Sequence, residues 1–81
     1  MFRILLVDDE AQERDGIRFL IEKYKLPLTV VEAQNGQKAL EYLKEHPVDI
    51  LFTDVKMPYK DGLELAKETF QFNPGIRIVI F

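Results

Sequence analysis

Four short apolar runs, separated by three stretches of helical periodicity, limit what this chain can fold into more than any other feature. "FRILLV" (2–7), "LTVVEA" (28–33), "VDILFT" (48–53) and "IRIVIF" (76–81) are of strand length and rich in strand-favouring residues. Between the first two, within residues 11–24, Ile17, Leu20, Ile21 and Tyr24 fall on one helical face. Asp9 with Gln12 reads as a capping box at the start of that helix. Residues 36–45 align Ala39, Leu40 and Leu43 before Pro47 stops them. Residues 62–72 align Leu63, Ala66 and Phe70, and Asn73-Pro74-Gly75 ends that helix. The order βαβαβαβ predicts an α/β fold, a doubly wound parallel sheet with right-handed crossovers. Apolar runs without alternation predict strands covered on both faces.

The bulk numbers exclude more than they assign. Eighty-one residues allow one small domain, which buries only about 60% of its unfolded surface. With no cysteine, neither a disulfide framework nor a thiolate metal site is available, and a reducing cytoplasm fits. The opening "MFRILLVDDE" turns acidic too early for a signal peptide. No apolar run approaches the roughly 20 residues that cross a bilayer, so no membrane partner is expected. A net charge of -3 argues against nucleic-acid binding through this segment.

In an open parallel sheet, ligands bind beyond the carboxyl ends of the strands, where strand order reverses. Asp8 and Asp9 follow the first apolar run directly, and Asp54 follows the third. If those strands are neighbours, three carboxylates meet at one edge. Like charges packed together need a counter-ion. Mg2+ suits such a site, because it prefers oxygen ligands and keeps room for a phosphoryl oxygen. A carboxylate beside it can attack phosphorus. Asp54 therefore reads as a phosphoacceptor, with Asp8 and Asp9 as its metal site. Taken singly, Asp9 could be a helix cap and Asp54 a turn residue. The joint pattern favours the site.

"ILLVDDE", "VVEAQNGQKALEYL" and "DILFTDVKMPYKDG", in this order and spacing, resemble a response-regulator receiver domain of two-component signalling. The resemblance spans the chain and implies a flavodoxin-like fold. It implies that Asp54 accepts a phosphoryl group from the phosphohistidine of a sensor histidine kinase, as a phosphorelay switch and not as a turnover enzyme. It implies that Asp9 binds Mg2+ directly, Asp8 through water, and Lys56 through its main-chain carbonyl. Pro58 then shapes the loop after the phosphoacceptor, and Gly62 permits a tight approach into the next helix. "KMPYKDGLEL" looks most like regulators with a helix-turn-helix output domain, so the full-length protein is expected to bind DNA elsewhere. Gly16, Ile17 and Leu20 on the first helix are candidate kinase contacts.

Receiver domains run to five strands and five helices, whereas residues 1–81 hold strands 1–4 and helices 1–3. The reading is thus an incomplete receiver domain, truncated after strand 4. The family's Ser/Thr after strand 4 and its Lys after strand 5 have no counterpart here. The chain is accordingly expected to keep the metal corner, to signal poorly if at all, and to associate into a homo-oligomer. The joint would be the strand 4 edge or the uncovered sheet face near Ile4, Leu6 and Leu51 or their neighbours. The alternative is a metal-binding, self-associating fragment with no phosphotransfer. Two rivals fit worse. A nucleotide-binding βαβ unit wants a Gly-rich turn where "VDDEAQERDG" stands. A haloacid-dehalogenase-type phosphatase wants an aspartate where Lys56 stands. His46 reads as a solvated helix end, Asn35-Gly36 as a structural turn, and Tyr59 and Lys60 as loop residues beside the site. Arg14, Arg18, Lys23 and Lys25 read as the solvated side of the first helix.

Overall fold

Each apolar run becomes a strand, and the four strands lie parallel in one sheet. The structure, a computed structural model, describes all 81 residues, Met1–Phe81. The elements are β1 (Phe2–Val7), α1 (Ala11–Lys23), β2 (Leu28–Ala33), α2 (Gly36–Glu45), β3 (Ile50–Thr53), α3 (Gly62–Phe72) and β4 (Arg77–Ile80). The strand order is β2-β1-β3-β4. This is the doubly wound order in which strand succession reverses between β1 and β3. Val7 is level with both Ala33 and Thr53, so the carboxyl ends of three strands share one edge.

β3 and β4 are shorter than their apolar runs. The hydrogen bonding nevertheless continues past both: Asp49 N–H donates to Arg3 O at 2.9 Å and Phe81 N–H to Thr53 O at 3.0 Å. Val48 and Ile76 lie outside the strands but inside the core. Their apolar character serves packing, which a pattern of residue types cannot separate from strand pairing.

Two apolar layers sandwich the sheet unequally. On one face, Leu5, Val7 and Leu51 pack against Ala39, Leu40 and Leu43 of α2 and Leu65 of α3. On the other, Ile4 and Leu6 pack against Ile21 of α1, with Ile17, Leu28, Val30, Ile50 and Phe52 only partly buried around them. Coverage of both faces therefore holds for β1 and fails for β4, whose residues alternate between exposed and half-buried. Of the residues expected near an uncovered face, Ile4, Leu6 and Leu51 are buried, while their neighbours Ile50 and Phe52 are only partly so. The most exposed apolar side chains of this face lie one strand further out, at Val79 (44% exposed) and Phe81 (43%), where Phe81 packs at a tilt against Phe52 with ring centroids 4.7 Å apart.

The expected Asp9–Gln12 capping box does not form. Glu10 is the N-cap of α1 and makes no side-chain cap hydrogen bond. Instead, Asp8 Oδ1 accepts the Glu10 N–H at 2.9 Å, an Asx-type turn that competes with the cap for the same loop. Asn35 and Asp61 do cap their helices, accepting from the N–H groups of Lys38 and Glu64 at 2.8 Å each. His46 is exposed and stacks on Tyr42 one turn earlier, with centroids 4.2 Å apart. Arg14 and Arg18 do not merely face solvent: both grip Glu32 of β2, at 2.9 and 2.7 Å. No helix is long and apolar enough to cross a membrane.

Candidate functional site

The backbone ladder carries the acidic residues to their edge. Asp8 N–H donates to Ala33 O at 3.2 Å, and Asp54 N–H donates to Val7 O at 3.0 Å. Each aspartate thus occupies the first position beyond its strand, with its main chain still held by the neighbouring strand. Asp8 is wholly buried and Asp54 half-buried. Asp9, one residue on, is exposed.

The structure brings Asp8 and Asp54 together, and with them Glu13 from the first turn of α1. One carboxylate oxygen from each of the three lies within 4.8 Å of the others. Asp9 stands outside this group. Glu13 is the residue sequence reasoning missed. Its signal was weak, since an acid in a first helical turn is ordinary and favourable to the helix dipole.

Charge crowding shows in the protonation of the group. The Glu13 carboxyl is pushed up to about 7, first by a hydrogen bond with Asp8 and then by the Asp8 charge. Partial desolvation and the charges of Glu10 and Asp54 push the same way. A hydrogen bond between two carboxylates needs a proton on one of them. With both ionised, Asp8 Oδ2 is a buried oxygen with no donor. The structure's ion pairs, Arg14 and Arg18 with Glu32 and Lys60 with Glu68, all lie outside the cluster. An all-oxygen set with a buried, unpartnered carboxylate oxygen fits a hard divalent cation such as Mg2+.

The loop after β3 is built to hold Asp54 and its neighbours. Gly62 N–H donates to Val55 O at 2.8 Å, folding the start of α3 back onto the strand end. Met57 packs against the core, while Lys56 and Pro58 are exposed. No protein donor reaches the Lys56 carbonyl, which leaves its oxygen available. Tyr59 takes φ 72° and is exposed, an uncommon backbone state for a residue other than glycine. Lys60 then tucks its backbone against Gly36, where a side chain would meet Lys60 O at 2.5 Å. That packing is why α2 needs glycine as its first residue. Lys60 also pairs with Glu68 of α3, so it braces the loop and does not reach toward Asp54. The largest concavity, about 400 Å3, lies at the opposite end of the strands, lined by Phe2, Val48, Ile50 and Ile76 among others. It gathers no carboxylate cluster, so the chemistry belongs to the carboxyl edge.

A parallel sheet ordered β2-β1-β3-β4, with an aspartate at the end of β3 and a second buried at the end of β1, fits the first four strands of a receiver domain. Comparison with known proteins gives the same class: the family model for the response regulator receiver domain matches residues 4–81. The chain belongs to that family. It is 40% identical over 81 residues to the uncharacterized transcriptional regulatory protein YesN of Bacillus subtilis, covering 99% of this chain and 22% of that protein. It is 40% identical over 78 residues to the chemotaxis protein CheY of the same organism, covering 96% of this chain and 64% of that one. Response regulator protein TrrA from Thermotoga maritima, in complex with Mg2+-BeF, superposes with a TM-score of 0.91 at 30% identity, over 99% of this chain and 68% of that one. TrrA in complex with the histidine kinase ThkA gives a TM-score of 0.88. The chain thus spans less than two thirds of either curated relative.

Proposed function

We propose that this receiver domain accepts a phosphoryl group on Asp54 from the phosphohistidine of a sensor histidine kinase. The observation that carries the reading is the pairing of a half-buried Asp54 with the buried, unpartnered Oδ2 of Asp8 at one sheet edge. An Asp54 oxygen attacks phosphorus, the P–N bond to imidazole breaks, and the nitrogen keeps the electron pair. Asp8, Asp9 and Asp54 would hold Mg2+, together with the main-chain carbonyl of Lys56. When bound, the cation offsets negative charge on the incoming phosphoryl group. The expectation of direct coordination by Asp9 and water-mediated coordination by Asp8 meets a counter-argument in the burial of Asp8. Its unpartnered oxygen favours direct contact, with Asp9 closing the site from solvent. Pro58 and Gly62 act on the backbone: one restricts the loop, the other lets α3 approach Asp54.

The domain is a switch, not a turnover enzyme, and the reading places it in the cytoplasm. The TrrA–ThkA complex supports a kinase partner, and TrrA with Mg2+-BeF supports the cation. Likeness to YesN supports a place in a longer transcriptional regulator whose DNA contacts lie outside residues 1–81.

The test is acetyl-phosphate labelling in the presence of Mg2+, read by intact mass and peptide mapping. One phosphoryl group on Asp54, added slowly and lost in Asp54→Asn and in EDTA, is the expected result. Labelling that survives Asp54→Asn overturns the assignment. A second reading, cation binding and self-association without transfer, is favoured by the exposure of Val79 and Phe81 beside the β4 edge. Mg2+ binding with no label on Asp54 would select it.

A further inference from the structure

We propose that Glu13 is a fourth carboxylate of the cation site, turned in from α1 toward the cation that Asp8 and Asp54 hold. The inference rests on the reading that this corner binds Mg2+, and adds a residue which neither the expectation for the family nor the sequence pattern assigns.

Three observations converge. First, Glu13 shares the cluster with Asp8 and Asp54, each contributing an oxygen within 4.8 Å of the others, whereas Asp9 does not. Second, Asp8 is wholly buried; its Oδ1 accepts the Glu10 N–H, and with Glu13 ionised its Oδ2 has no donor. A buried anionic oxygen without a donor calls for a positive partner, and the structure's ion pairs supply none here. Third, the backbone of Glu13 is held in place. Its N–H donates to Glu10 O at 3.2 Å, and the next residue, Arg14, donates to Asp8 O at 2.5 Å and to Glu32 Oε1 at 2.9 Å. Arg14 thereby anchors the first turn of α1 over the β1 turn.

A bland role for Glu13 is available, because an acid in a first helical turn favours the helix dipole. That role is satisfied by a side chain directed at solvent. Although Glu13 is exposed, its carboxyl is placed against two others, where mutual repulsion opposes it once all three are ionised. A cation among them turns that repulsion into attraction. Glu is longer than Asp, so from one helical turn away it reaches the same corner that Asp54 reaches from the strand end. The added negative charge raises affinity for divalent cations.

The test is calorimetric titration of the full chain with MgCl2 at fixed ionic strength and neutral pH. Four proteins are compared: the parent, Glu13→Gln, Asp15→Asn and Asp8→Asn. Asp15 is an exposed acid on the same helix outside the cluster, so its variant controls for net charge. Glu13→Gln weakens Mg2+ binding about tenfold, the scale typical of a lost metal-site carboxylate or its close support. Asp15→Asn stays near the parent, and Asp8→Asn loses binding. If Glu13→Gln matches Asp15→Asn while Asp8→Asn still loses binding, the role of Glu13 is overturned and the site stands. If Asp8→Asn binds like the parent, the site itself is refuted, and the Glu13 inference with it. Thermal melting in EDTA checks that each variant is folded.

Discussion

The carbonyl oxygen of Asp54 fills the space that a side chain on Gly62 would need. A β-carbon there would overlap that oxygen and crowd the Asp54 carbonyl carbon and Val55 Cα. Asp54 and the first residue of α3 are therefore coupled through sterics, although eight positions separate them. Backbone cannot move aside as a flexible side chain can. Gly62→Ala is expected to destabilise the fold by about 1–3 kcal/mol, as overpacking does, despite the better helix propensity of alanine. Urea denaturation measures it, and Asp54 labelling should fall in parallel. An unchanged midpoint would mean that the loop after β3 adjusts at little cost.

Asp8→Asn should raise stability in EDTA while abolishing Mg2+ binding. The substitution keeps an oxygen to accept the Glu10 N–H and removes a buried charge with an unpartnered oxygen. The desolvation penalty of such a group is about 1–3 kcal/mol, and part of it should be recovered. Denaturation with and without MgCl2 reads both halves of the prediction. Lower stability in EDTA would show that the Asp8 charge is compensated by a route other than a cation.

Glu13 sets the sign of a pH effect in metal-free buffer. Its folded value of about 7 exceeds its ordinary value of 4.5. Between those two, the folded chain keeps a proton that the unfolded chain has released. The part of the stability that Glu13 contributes is then fully present below about pH 4.5 and is lost as pH rises through 7. Melting temperature in EDTA should decline from pH 5 to 7.5, and Glu13→Gln should flatten the decline. Excess MgCl2 should oppose the loss, because ionised carboxylates bind the cation.

Much of this site was legible in the sequence because parallel strands place their carboxyl ends at predictable positions. Asp8 and Asp54 each directly follow an apolar run, so neighbouring strands had to bring them together. Glu13 was not legible in the same way. Its approach to Asp8 depends on the pitch and anchoring of α1 through Arg14, Asp8 O and Glu32, a tertiary relation without local pattern. The Asp9–Gln12 box failed for a related reason: Asp8 competes for the first free N–H, and spacing alone cannot rank two candidate acceptors. The ends of β3 and β4 were over-extended because Val48 and Ile76 are apolar for the core and not for the ladder.

Glu32 should act oppositely to Glu13. Burial raises its carboxyl, but hydrogen bonds from Arg18 and Arg14 and their charges outweigh that and hold it below its ordinary value. A depressed folded value contributes stability above the unfolded value of 4.5, lost as pH falls through the folded one. Glu32→Gln should cost about 1–2 kcal/mol at neutral pH, as charge-assisted hydrogen bonds are lost, and reduce acid sensitivity below pH 4.5. Because Arg14 also holds Asp8 O, Mg2+ affinity should drop modestly as well. An effect on stability with none on Mg2+ would confine the Arg14 anchor to structure.

The edge at β4 predicts association of the 81-residue chain. Arg77, Val79 and Phe81 are exposed along one side of that strand, and Phe52 is only partly covered beneath Phe81. Unpaired backbone groups on an apolar edge invite a second strand, and a charge placed there opposes it. Sedimentation velocity at tens of micromolar should show a dimer or larger species, and Val79→Lys should shift it toward monomer. Val79 lies on the open face and not in the α2–α3 core, so the variant should keep its melting temperature in dilute solution. A parent chain that sediments as a monomer at the highest concentration would show that Phe52, Val79 and Phe81 form too small a patch to hold a partner. The second reading of function would lose its support, and phosphotransfer through Asp54 would be left unaffected.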